Sequence, residues 1–245
     1  MDIPSGLIKK LKSARAIVFF SGAGISAESG IPIFRGKDGI WNKLRPEELA
    51  NFNAFMRNPQ LVWKWYNYRK SIVQESKPNP GHLAIVEMEK YFEKVIVITQ
   101  NVDNLHRRAG SKTIYELHGN IERNFCAKCK KHYDGELDFE DGIPKCTCGG
   151  LIRPDVVWFG EFLPADQFQL SEKAARNCDV FFIVGTSAVV YPAASLVQVA
   201  KSNGAYLVEV NIEETEASSI VDVSLFGESG KILPQIVEEL KLIRA

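Results

Sequence analysis

Apolar residues, many of them β-branched or aromatic, fill 16–20, 95–98 and 180–184 and, apart from Glu209, 205–210, and each run is followed by glycine or small polar residues. Runs this short with no polar alternation predict strands buried on both faces, as parallel sheets require. Helical spacing fills the intervals at 4–14, 82–92, 164–177 and 192–203, the last stopped by Gly204. Strand alternating with helix predicts βαβ units, and hence an α/β fold with a Rossmann-like, doubly wound parallel sheet. The longest apolar runs are too short to cross a bilayer, and the first residues lack a secretory core, so neither membrane contact nor export is expected.

Two stretches break the rhythm. Residues 36–80 read as helical and aromatic-rich, and 119–157 hold four cysteines, several glycines and little periodicity. Both are expected to leave the sheet and form a small lobe, one helical part and one metal module, inserted into a large lobe of 1–35, 81–118 and 158–245. The whole of 1–245 is then one domain with a cleft between lobes where a ligand would sit. Lys plus Arg equals Asp plus Glu at 30 each, so no net field favours nucleic acid or an acidic membrane.

After the first strand, Ser21-Gly-Ala-Gly-Ile-Ser-Ala27 fits the G-x-G-x-x-[GA] dinucleotide fingerprint. Gly22 permits the turn, Gly24 lets backbone approach a pyrophosphate, and helix N–H groups at Ser26 and Ala27 face its charge. A plain strand-to-helix glycine turn would look the same. A dehydrogenase also needs an acidic residue on a second strand about 20 residues later, and residues 38–48 hold no strand. The dinucleotide must be gripped differently.

Cys126-x-x-Cys129 is followed after 16 residues by Cys146-x-Cys148. Two thiolate hooks at that separation predict one tetrahedral zinc, structural because four sulfurs leave no open position. His132 is a lesser alternative ligand, and the metal is expected to hold a lobe without a core of its own. Clustered thiols fit a reducing compartment better than disulfides, so the cytoplasm is expected. Cys178, alone before an apolar run, reads as a core thiol.

The glycine loop continues as Gly22-Ala-Gly-Ile-Ser-Ala-Glu-Ser-Gly-Ile-Pro-Ile-Phe-Arg-Gly36. Then come Gly39-Ile-Trp41, Thr99-Gln-Asn-Val-Asp-Asn-Leu-His106, Glu116-Leu-His-Gly119, the cysteine module, Val157-Trp-Phe-Gly-Glu161, Gly185-Thr-Ser187 and Asn211. In this order, over nearly the whole chain, the segments resemble the sirtuin family of NAD-dependent protein-lysine deacylases. One departure stands out: the family commonly has Asp after Gly-Ile-Pro, and this chain has Ile33.

The resemblance implies that NAD is consumed as a cosubstrate, losing nicotinamide while an acyl-lysine oxygen attacks its ribose. It places Gly22, Ala23, Gly24, Ala27, Phe34, Arg35, Trp41, Gln100, Asn101 and Asp103 around NAD, with Phe34 shielding the reacting carbon and Arg35 near the phosphates. Gly185, Thr186, Ser187 and Asn211 follow two further strands and would hold the adenosine ribose and phosphates, with Ser229 at the adenine. His118 becomes the general base on a ribose hydroxyl, since imidazole titrates near neutrality, and Asn101 a catalytic partner. Taken singly, each of these polar residues is equally a turn, cap or hydrogen-bonding residue. His82 and His106 read as ordinary hydrogen-bonded histidines.

Substrates would be acylated-lysine proteins or peptides, paired as an added strand along Val157, Phe159, Gly160 and Glu161. Tyr66 and Arg69, three apart on a helix, resemble the desuccinylase and demalonylase branch, in which phenol and guanidinium bind an acyl carboxylate. Periodicity alone also allows a core stripe with Arg69 reaching outward. Nicotinamide, O-acyl-ADP-ribose and free lysine are the expected products, and a monomer is the expected state. One alternative is an NAD-dependent oxidoreductase, opposed by the missing acidic strand. The other is a zinc-ribbon nucleic-acid binder, opposed by the zero net charge and by the acidic stretch at 136–141.

Overall fold

In the computed structural model, which describes residues 3–34, 39–40, 45–140 and 142–243, the apolar runs become the centre of a parallel sheet. The chain opens with α1 (Ser5–Ser13), β1 (Ala16–Ser21) and the short α2 (Gly24–Ala27). Then follow α3 (Pro46–Leu49), α4 (Phe52–Arg57), α5 (Pro59–Glu75), α6 (Pro80–Met88), β2 (Lys94–Thr99), α7 (Leu105–Ala109) and β3 (Ile114–Glu116). The antiparallel pair β4 (Gly119–Cys126) and β5 (Ile152–Val156) precedes α8 (Ala165–Arg176), β6 (Val180–Val184), α9 (Ser195–Ser202), β7 (Tyr206–Asn211), β8 (Val223–Phe226) and α10 (Ser229–Ile243).

The six-stranded sheet runs β3-β2-β1-β6-β7-β8, every pair parallel. Alternate residues of each strand feed two layers. Phe19 and Phe182 stack at 4.8 Å and pack with Leu7, Leu11, Ile85, Leu233 and Leu240 on one face. Phe20, Phe181 and Ile183 pack with Ala175, Leu196 and Val197 on the other. Each such fully buried ring contributes roughly 2–3 kcal/mol of transfer free energy, so the sheet's centre is a rigid base for whatever its ends carry.

The sequence pattern misses β3 and β8, which are short, lie at the two edges and mix polar with apolar positions. The helix expected at 82–92 begins earlier. Asn79 caps it, accepting from the N–H groups of Gly81 and His82 at 2.9 and 3.4 Å, and Pro80 takes the first-turn position where no N–H is needed.

Strand order reverses between β1 and β6, and their carboxyl ends leave a crevice. Two glycine turns meet back to back there. Gly22 N donates to Val184 O at 3.0 Å and Gly24 N to Gly185 O at 2.7 Å. A Cβ on Gly24 would sit 2.7 Å from Gly185 Cα, and one on Gly185, at φ +58°, would sit 2.3 Å from Ile25 N. The glycines are therefore demanded first by contact between two turns of the protein, before any ligand arrives. Gly185→Ala combines overpacking with a left-handed backbone, and the expected loss is about 3 kcal/mol. A denaturant midpoint equal to that of the unaltered chain would contradict it.

A third apolar cluster lies off the sheet: Phe55, Val62, Trp63, Tyr66, Val73, Ile121, Ile152 and Trp158, with Tyr133, Phe139 and Cys146 against it. The expectation of a lobe without a core of its own is thus corrected. The aromatic helix α5 lies on β4 and β5, Trp63 Nε1 donating to Ile152 O at 3.0 Å, and supplies the apolar surface that the cysteine segment lacks. Among the described residues no helix is long and apolar enough to cross a membrane.

Candidate functional site

A cleft of about 770 Å³ opens at the carboxyl ends of the central strands, between the sheet and the third cluster. The turn after β1 brings Gly22, Ala23, Gly24 and Ala27 to its wall, and β2 brings Gln100 and Asn101. Gly185, Thr186 and Ser187 follow β6, Asn211 ends β7, and Ser229 starts α10. Phe34 and His118 line it too, as does the apolar Ile33.

His118 follows β3, and its Nδ1 lies 2.9 Å from Gln100 O. A carbonyl only accepts, so Nδ1 carries the hydrogen and Nε2 keeps its lone pair in the neutral ring. That tautomer can take a proton. Asn101 spends both amide protons on the protein, donating to Gly22 O at 3.0 Å and Ser26 Oγ at 3.2 Å, so the atom it offers the cleft is Oδ1. Ser26 Oγ in turn donates to Asp103 Oδ2 at 2.7 Å, and Asp103 Oδ1 accepts from Leu105 N at 2.9 Å. Asp103 therefore stands behind the wall, linked to the cleft through Ser26 and then Asn101. Burial raises its pKa, against the backbone and Ser26 hydrogen bonds that lower it.

The remaining polar residues brace one another. Gln100 Nε2 donates to Thr186 Oγ1 at 2.9 Å, Asn211 Nδ2 to Thr186 O at 3.1 Å, and Ser229 Oγ to Glu28 Oε1 at 3.1 Å. His106 and His82 lie deeper, rings 4.8 Å apart, and contribute no wall. His106 meets Ser21 Oγ at 2.9 Å, while burial drives the pKa of His82 down to about 4 and keeps it neutral. Each keeps one buried ring nitrogen, His82 Nε2 and His106 Nδ1, without a hydrogen-bond partner among the described residues.

The other end of the cleft is built by α5. Val62, Tyr66, Arg69 and Val73 form its buried stripe, so Arg69 points inward with the core residues instead of reaching out to solvent. Arg69 is 8% exposed, faces the rings of Phe34 and Trp65 at 4.7 and 5.9 Å, and makes no salt bridge among the described residues, the carboxylate that attracts it being that of Asp103, behind the wall. Burial lowers its pKa. Such a cation in a cleft wall is a ready site for an anionic ligand group. Beside it, Val157 N donates to His118 O and Phe159 N to Ala50 O, both at 3.0 Å, which ties the 157–161 segment to both sides of the cleft. Phe159 and Gly160 are exposed; Glu161 is turned inward onto Arg153.

The Sir2 family profile matches residues 22–192. The NAD-dependent protein deacylase of Pyrococcus furiosus is 51% identical over 239 residues, 95% of this chain and 95% of its own length. The chain belongs to the Sir2 family. A solved Sir2 homolog–NAD complex matches with a TM-score of 0.93 at 42% identity, covering 100% of this chain and 96% of that one. A Sir2–p53 peptide–NAD+ structure matches with a TM-score of 0.86 at 33% identity, covering 99% and 100%. The motifs that resembled sirtuins are therefore those of a Sir2 chain, and the 22–27 turn, Gln100, Asn101, His118, the 157–161 segment, the 185–187 turn and Asn211 contribute to one cleft. Arg35 and Trp41, assigned to NAD from sequence, lie outside the described residues.

The four cysteines of this Sir2 chain meet at the far side of the third cluster. Cys126 and Cys148 Sγ are 3.5 Å apart, Cys129 and Cys146 Sγ 3.7 Å, and all four sulfurs lie within 4.8 Å of one another. Sulfurs at the corners of a zinc tetrahedron stand about 3.8 Å apart, far beyond a disulfide bond. The donor set fits zinc, the one-residue hook closes as well as the two-residue one, and His132 is not part of the cluster. Because an apolar core lies beneath, metal removal should loosen the cysteine segment without melting the helices. We expect chelation to lower the melting temperature by about 10 °C with the helical circular dichroism retained; an unchanged melting temperature would contradict a structural metal.

Sequence reasoning missed several residues. Glu209, fully buried on β7, accepts from Thr215 Oγ1, from Ser218 Oγ at 2.6 Å and from Ser224 Oγ at 2.7 Å, and so fixes the loop that brings Thr215 to the cleft. Arg153, also fully buried, donates to both oxygens of Glu161. Neither carries a sequence signal, because charged residues are ordinarily exposed. Glu28, which anchors Ser229, lay in plain view inside the glycine motif.

Proposed function

We propose that this chain removes acyl groups from protein lysine at the expense of NAD, giving nicotinamide, O-acyl-ADP-ribose and free lysine, and that it prefers acyl groups ending in a carboxylate. The proposal rests above all on the buried Arg69, which makes no salt bridge among the described residues, beside Tyr66 and in the same cleft wall as the proton-accepting face of His118.

NAD, when bound, supplies an electrophilic ribose carbon once the bond to nicotinamide breaks. Gly22, Ala23, Gly24, Ala27, Gly185, Thr186, Ser187, Asn211 and Ser229 would hold its adenosine and phosphate parts, with Gln100 and Asn101 at the nicotinamide end and Asp103 acting through Ser26. Asn101 Oδ1 faces the region where positive charge develops, which favours the transition state over the ground state. Phe34 excludes water. His118 Nε2 takes the ribose hydroxyl proton, with the ring held by its bond to Gln100 O. A substrate segment lies extended along Val157, Phe159 and Gly160, read by backbone more than by side chain. The third cluster with the zinc module serves as the small lobe against the sheet, and one chain completes the cleft, consistent with a monomer. The unbridged thiols favour a reducing, cytoplasmic setting.

A single peptide carrying acetyl, malonyl, succinyl or crotonyl lysine tests the proposal. We expect the highest kcat/KM for succinyl or malonyl, with acetyl turned over more slowly. Equal rates across the four would remove the carboxylate preference, and no turnover of any would remove the deacylase assignment.

A further inference from the structure

Trp158 Nε1 donates to Tyr66 Oη at 2.8 Å, in a contact where the two side chains are 2% and 1% exposed. An indole N–H can only donate, so the phenol oxygen must accept and its own proton must point elsewhere. Among the described residues Tyr66 donates to none, yet it lines the cleft together with Arg69. Burial raises the pKa of the phenol, so it keeps that proton near neutral pH. A buried donor without an acceptor is costly unless a ligand supplies one.

The indole is itself clamped. Arg153 lies over its ring at 3.4 Å, donates to Val156 O at 2.8 Å and holds Glu161 with both terminal nitrogens, while Glu161 Oε2 accepts from Trp158 N at 2.9 Å. Trp158 is thus fixed from its face and from its backbone, inside the segment proposed to carry the substrate strand.

We propose that Trp158 is a positioning residue for acyl specificity: by occupying the accepting side of Tyr66 Oη it aims the phenol proton into the acyl end of the cleft, which then favours acyl groups that end in a hydrogen-bond acceptor over those that end in methyl. This rests on the carboxylate preference proposed above and adds to it a residue that acts through Tyr66. Arg69 supplies charge; the indole supplies direction. A purely packing role for Trp158, which also contacts Phe55, would slow all acyl groups alike.

The test is a double-mutant cycle read as the succinyl-to-acetyl ratio of kcat/KM on one peptide. Tyr66→Phe should lower the ratio about tenfold and Trp158→Phe about fivefold, and the double variant should fall no further than Tyr66→Phe alone. A ratio unmoved by Trp158→Phe, or a double variant that loses the product of the single effects, overturns the inference. If Trp158→Phe does not fold, the indole N–H resonance of Trp158 in the unaltered chain decides. A bound succinyl peptide that takes the phenol proton should polarise the phenol and shift the indole proton downfield more than an acetyl peptide does; equal shifts overturn it. An unaltered chain with no succinyl preference removes the carboxylate proposal and this one with it, whereas a succinyl preference indifferent to Trp158 removes this one alone.

Discussion

Replacing His118 with asparagine should cut deacylation by about two to four orders of magnitude, the range a positioned general base contributes. Asparagine is the informative choice because its amide N–H can keep the donation to Gln100 O that Nδ1–H makes at 2.9 Å. The hydrogen bond survives and the proton-accepting nitrogen is lost. Fold and nucleotide affinity should therefore hold, and melting curves with NAD titrations check that. Turnover within a few fold of the unaltered chain would show that another group takes the ribose proton.

Arg69→Met carries the second large effect. Methionine fills the buried stripe between Tyr66 and Val73 without charge, so succinyl turnover should fall about a hundredfold while acetyl turnover stays within about threefold, as loss of one partner from a desolvated charge pair implies. Stability should move the other way. In the free protein Arg69 is buried with no salt bridge among the described residues, only the more distant attraction of Asp103, so its removal should leave the melting temperature unchanged or raise it. Equal losses on both acyl groups, or a marked fall in melting temperature, would mean that Arg69 is a packing residue.

Much of this architecture was legible before any coordinates. The continuous apolar runs of β1 and β6, and that of β7 with Glu209 its one interior break, admit no exposed face, and the two cysteine hooks dictate their own convergence. Edge strands β3 and β8 escaped because an edge tolerates polar positions, which blurs the pattern. The role of Gly185 escaped for a different reason: its constraint comes from Gly24 and Ile25, 160 positions away in sequence at the nearest, and no local rule sees that contact. Arg69 was ambiguous on periodicity, since an arginine on an apolar stripe usually bends its charge outward; only the packing of α5 against the cleft turns it in. Asp103 was placed beside the nicotinamide site from its motif, and the structure interposes Ser26. Buried charges such as Arg153 and Glu209 have no pattern of their own in one sequence, because their partners come from other elements.

The central claim is that acyl-lysine and NAD are consumed together in this cleft. Incubating the zinc-loaded protein with NAD and a succinylated or acetylated peptide, and counting nicotinamide against free lysine by mass spectrometry, tests it most directly. The account predicts one nicotinamide per lysine released, with the acyl group recovered on ADP-ribose. Free lysine formed without nicotinamide, or NADH in place of nicotinamide, would contradict it.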